Sequence, residues 1–200
     1  MKFSLFSILS ALVLFAIPCS AAGEEPVAAS AQAVHINWYE IPPDIRRYLI
    51  LMTAVSMELN AELPDGGINP APQQQFDMMQ KIVERTPVDF LTSEARAYIT
   101  EANRLNLTIV DTLRREAPED RAGILAVRER FAPRIDELAA RYPSVSRYFT
   151  PEAQVYISML IIRETDLQRV MMQASMAGKS RQEAMRTAVE HLRYEAEQQF

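Results

Sequence analysis

Twelve prolines punctuate this chain, and between them the apolar residues recur at spacings of three and four. That period lays a stripe along one side of a helix, whereas a half-buried strand would need strict alternation. From Trp38 onward no run of alternating β-branched residues appears. The sequence therefore predicts an all-α domain of about six helices, arranged as three antiparallel helical hairpins in one bundle-like unit.

The prolines place the helix starts. Pro43-Asp44 opens the first helix, because proline suits the first helical position and an acid suits the positive end of the dipole. Ile45, Tyr48, Leu49, Met52, Val55 and Leu59 form its apolar face, which Leu51, Ala54 and Met57 widen, so this helix should be buried on more than one side. Pro64-Asp65-Gly66-Gly67 stops it, and Pro72 begins a shorter helix that ends before Pro87. Thr92 caps the third helix, through Ala95, Tyr98, Ala102, Leu105, Ile109 and Leu113. Pro118 starts the fourth, and Pro133 inside its pattern should kink or split it. Thr150-Pro151 opens a fifth helix whose Val155–Ile162 stretch is apolar nearly all round, which makes it the expected central element; Gly178 ends it as a left-handed cap. Ser180-Arg181-Gln182-Glu183 is a capping box for the last helix, with Ala184, Ala188, Leu192 and Ala196 along one face.

Three helix starts echo one another. Pro43-Asp44-Ile45-Arg46-Arg47-Tyr48-Leu49, Ser93-Glu94-Ala95-Arg96-Ala97-Tyr98-Ile99 and Pro151-Glu152-Ala153-Gln154-Val155-Tyr156-Ile157 lie 50 and 58 residues apart. They mark out the hairpins 43–87, 92–142 and 150–199. A first-turn acid and an apolar triplet are what any helix start requires, and only the recurring tyrosine exceeds that requirement.

The amino terminus points to export. Met1-Lys2 is a short positive start, Phe3–Ile17 an apolar run broken only by serines, and Pro18-Cys19-Ser20-Ala21-Ala22 a small-residue cleavage region. This is the layout of a secretory signal peptide over 1–22, too short for a spanning helix of roughly 20 apolar residues. Cleavage is expected after Ala22, or else after Ala21, giving a periplasmic or secreted protein with no membrane span. Lipidation at Cys19 is the rival, although Pro18 stands where a lipobox wants a small residue. If Cys19 leaves with the signal, the mature chain has no disulfide, thiol nucleophile or thiolate metal site. Residues 23–37, rich in Ala, Glu, Pro and Ser, read as a flexible leader, and 38–200 as the helical domain.

Removal of 1–22 leaves 178 residues, enough for one core, with 20 basic and 26 acidic side chains, or −6. That acidic balance argues against a nucleic-acid or anionic-lipid partner. The sequence also makes several chemistries improbable. The chain has two histidines, His35 at the edge of the leader and His191, and it carries no Gly-x-Ser-x-Gly elbow for a Ser–His hydrolase. Paired Glu-x-x-His motifs for a di-iron bundle are missing. His191 and Glu195 lie one turn apart and, with Glu164 or Glu190, would make only a weak site, so no metal is expected. Haem would need Met52 or Met57 with His191, but there is no Cys-x-x-Cys-His attachment, and methionine at helical spacing fills cores. No cofactor is expected either. Asn106-Leu107-Thr108 matches a glycosylation sequon by accident, inside a predicted helix.

Two groups of residues are left as site candidates. Met171, Met172 and Met176 cluster near the end of the fifth helix, with Met185 on the sixth, and flexible thioethers suit an adaptable protein-binding surface as well as an ordinary core. Glu58, which shares a helix face with Glu62, and Glu164, beside Arg163 and Asp166, are carboxylates able to serve acid–base chemistry or interhelical pairing. Leu91-Thr92-Ser93-Glu94-Ala95 and Phe149-Thr150-Pro151-Glu152-Ala153 resemble degenerate forms of the Leu-Thr-x-x-Gln signature of the Spy and CpxP group of periplasmic helical chaperones and stress proteins. The glutamine is missing from both copies, with Gln154 one residue late, and the resemblance covers about ten residues. The leading expectation is a non-enzymatic exported protein of the cell envelope, a protein-binding or chaperone-like accessory module. The alternatives are a carboxylate-dependent enzyme and a structural oligomer subunit.

Overall fold

The computed structural model describes residues 36–63, 71–118 and 120–199. The signal peptide, Cys19, His35 and the expected stop at Pro64-Asp65-Gly66-Gly67 lie outside them. Among the described residues the chain is all-helical. A 3-10 turn, Trp38–Glu40, precedes α1 (Pro43–Glu62), α2 (Pro72–Arg85), α3 (Ser93–Glu116), α4 (Arg121–Glu129), α5 (Ala132–Arg141), α6 (Pro143–Ser146), α7 (Pro151–Glu164), α8 (Leu167–Met176) and α9 (Arg181–Glu197). No described helix is long and apolar enough to cross a membrane.

Local chemistry accounts for most of these boundaries. Thr92 and Thr150 accept hydrogen bonds from the Ala95 and Ala153 amides, capping α3 and α7. Ser180 and Glu183 close the capping box of α9 from both sides. Gly178 takes the left-handed conformation after α8, at φ 74°. Ahead of Trp38, Ile36 is buried and Asn37 accepts from the Tyr39 amide to set the 3-10 turn.

Nine described helices stand where six were expected because two long patterns break. The fourth divides at Phe131, one residue before Ala132-Pro133, and Pro143 then opens the single turn of α6. The fourth also starts at Arg121 behind an Asp120 cap, later than the Pro118 expectation. The fifth divides at Thr165-Asp166, where Asp166 is left-handed at φ 53° and restarts the chain as α8. Aspartate tolerates that region better than most side chains, because its short polar group bonds locally. Here its carboxylate holds Arg169 at 3.1 Å.

The central element is α1, which corrects the expectation placed on α7. Thirteen of its 20 residues are buried. The most extensive helix contact joins α1 to α9, followed by α8 with α9 and α2 with α3. These contacts run between the expected hairpins as well as within them. The α9 face explains its fit: Ala184, Ala188, Leu192 and Ala196 are all essentially sealed from solvent, and small side chains let two helix axes approach closely. Polar groups inside the core are mostly paired. Asp44 accepts from the Ile45 amide and, across 48 residues, from the Thr92 amide, each at 2.9 Å, tying the start of α1 to the start of α3. Thr53, Asn60, Ser158 and Thr165 each donate to a carbonyl one turn back. The Arg96 guanidinium donates to the carbonyls of Val88, Asp89 and Leu91, pinning the α2–α3 connection.

Candidate functional site

The four methionines named from sequence divide between core and surface. Met185 is 8% exposed and buried on α9, and Met171 packs against the core. Met172 and Met176, one turn apart on α8, are 55% and 81% exposed. The sequence reading overlooked Met159, which is also exposed although it lies in the most apolar stretch of α7. No neighbouring residue type distinguishes it; only packing does.

The two carboxylates occupy different places. Glu58 lies near the end of α1 and pairs with Arg193 of α9 at 2.6 Å. It lines a cleft of about 480 Å³ with Glu62, Met185, Arg186, Glu190 and Arg193, where three acids face two arginines. Glu164, at the end of α7, is held on one oxygen by Arg163 at 2.6 Å and on the other by the Tyr39 hydroxyl at 3.3 Å. Both acids are engaged in ion pairs with an arginine. Glu58 shares a cleft with Met185, while among the described residues Glu164 bonds only Arg163 and Tyr39.

His191 marks the α7–α8 break. Its Nε2 sits within hydrogen-bond distance of the Thr165 carbonyl, and because a carbonyl can only accept, Nε2 must carry the proton. Glu195 Oε1 lies 3.9 Å from the same nitrogen. The histidine thus helps fasten α9 to the bend, and among the described residues no three His, Cys, Asp or Glu side chains gather as metal ligands. Met52 and Met57, the other halves of the haem alternative, are buried in α1. Asn106 and Thr108 lie inside helical α3, with the Thr108 hydroxyl bonded to the Arg104 carbonyl.

The echoed helix starts diverge in role. Tyr48 and Tyr98 both meet Phe149, at ring separations of 6.3 and 5.4 Å, and Tyr98 also meets Tyr142 edge-on. Burial pushes both phenols up to about 12, with Asn103 pulling slightly the other way at Tyr48. Tyr156 is only half-buried. The first-turn acids differ too: Asp44 bonds backbone amides, Glu94 accepts from Ser144 at 2.5 Å, and Glu152 is exposed. Surface ionisations have local causes. Asp111 is held below its usual range by hydrogen bonding to Arg114, and Glu183 by bonding to Ser180.

The chain matches no protein-family model, no curated protein and no solved structure.

Proposed function

We propose that this chain is an exported helical protein, periplasmic or secreted, that binds another protein in a chaperone-like or accessory role, through the methionine face of α8. The observation that carries the reading is the solvent exposure of Met172 and Met176, one turn apart on a helix whose Leu167 and Ala174 anchor it to the core. Exposed, unbranched thioethers adapt to varied apolar partners, and a helix anchored on its other side presents them without unfolding. Export is read from the signal-like 1–22 and the small-residue site at Ala22.

The mature domain is expected to suppress aggregation of an unfolded protein at near-stoichiometric ratios. Replacing Met172 and Met176 by serine should remove most of that suppression while the helical circular dichroism is retained. Absence of suppression, together with no partner cross-linked in the cell envelope, would overturn the binding role. Amino-terminal sequencing of the processed protein tests export separately: a chain beginning at Gly23 supports cleavage, and a lipid-modified Cys19 replaces the free protein by an anchored one.

A further inference from the structure

A second cleft, of about 150 Å³, lies between α3 and α5, at a distance in sequence from the methionine face. Its lining is largely apolar: Ile99 and Ile109 from α3, Leu138 and the exposed Ile135 from α5, and the ring of Phe149. Such a volume matches a cavity able to hold a single six-membered ring. Polar side chains also line it: Tyr48, Tyr98, Asn103 and Asn106, with Arg128 from α4.

Two of those groups are short of partners. Asn103 is 6% exposed and donates one amide N–H to the Tyr48 hydroxyl at 3.4 Å, while its Oδ1 accepts from no described residue. Tyr98 is 7% exposed, and its hydroxyl likewise has no partner among the described residues. Neither oxygen is sealed from solvent, so each stands open to a ligand in the cleft. An apolar pocket with a few polar groups that fix orientation is the usual form of a small-molecule site. Arg128, the one charged residue among those lining the cleft, is already engaged within the chain.

We propose that this cleft binds a small neutral molecule, a single ring or short hydrocarbon body bearing a hydroxyl group, with Tyr98 and Asn103 as its polar anchors. A hydroxyl both donates and accepts, so it suits a phenol that can donate and an amide oxygen that can only accept. A neutral ligand is favoured, because the lining is largely apolar and an ion would lose its hydration there. The upward-shifted tyrosines report the same water-poor surroundings.

Titration calorimetry of the full chain with phenol, toluene and benzoate tests this. Phenol should bind saturably at one site and benzoate should not bind in the same range. Tyr98→Phe should weaken phenol about tenfold, the loss of roughly one good hydrogen bond, and leave toluene within about twofold. Ile135→Trp should fill the cleft from α5 and abolish both; Ala102→Phe, which fills it from α3, does the same if the first variant is poorly folded by circular dichroism. Absence of saturable phenol binding, phenol binding indifferent to both Tyr98→Phe and the filling variants, or benzoate binding tighter than phenol would each overturn the proposal.

Discussion

Helices α1 and α7 each carry ten consecutive residues without a charge, Tyr48–Met57 and Ala153–Ile162. In α1 nine of the ten are buried and Leu51 is half-buried; in α7 six are buried, three are half-buried and Met159 is exposed. Equal apolar supply has produced unequal burial. The difference comes from what lies opposite: α1 receives the alanine-lined face of α9 together with α2, whereas the recorded partners of α7 are α8 and the 3-10 turn. Hydrophobic stabilisation follows area removed from water, so a helix becomes central through its neighbours and not through composition alone.

Paired truncations put that contrast to the hardest test. Leu49→Ala in α1 removes a fully sealed side chain and should cost about 2–5 kcal/mol in urea denaturation, whereas Met159→Ala in α7 should stay within about 0.5 kcal/mol. Equal losses would erase the distinction between the two helices.

Alkaline stability comes next. The phenols of Tyr48 and Tyr98 ionise near 10 when unfolded and at about 12 in the fold, so the folded state holds its protons more tightly. Their contribution is intact below pH 10 and is lost as the pH rises from 10 towards 12, by about 2–3 kcal/mol for each phenol. Tyr48→Phe and Tyr98→Phe should each flatten that decline in a stability profile, while Tyr194→Phe, on the exposed face of α9, should leave it alone.

A smaller effect is expected at the joint between α1 and α3. Asp44→Ala removes both recorded acceptors of the Ile45 and Thr92 amides and should cost about 1–3 kcal/mol; Asp44→Asn, which keeps one oxygen, should cost less. The smallest effect belongs to the surface of α8, where Met172→Ser with Met176→Ser should change the thermal midpoint little, within about 0.5 kcal/mol of stability. A larger loss there would show that the methionines serve the core and would weaken the binding reading.

Much of the fold was legible in the residues because its signals are local. Thr92, Thr150 and Ser180 cap helices by bonds to amides three residues away, Gly178 supplies a left-handed turn, and Pro133 interrupts a pattern; none of these needs a distant partner. The Asp166 break was not legible, since aspartate also sits comfortably inside a helix pattern, and what fastens the bend is a bond from His191, 26 residues away. The site candidates were less legible still. Methionine suits core and surface alike, so the division between Met185 and Met176 needed the packing of α8 and α9. The Tyr98–Asn103 cleft gave no sequence signal, because it depends on how α5 meets α3.

The sequence by itself determined the helical class, the starts of its principal helices and the apolar stripes they carry, since those follow from spacing and from bonds within a turn or two. Tertiary structure alone decided that α1 is the centre, that α9 covers it, which methionines face water and which polar groups line the cleft between α3 and α5. Each of these depends on contacts between segments far apart in the chain, whose energies no local pattern of residues encodes.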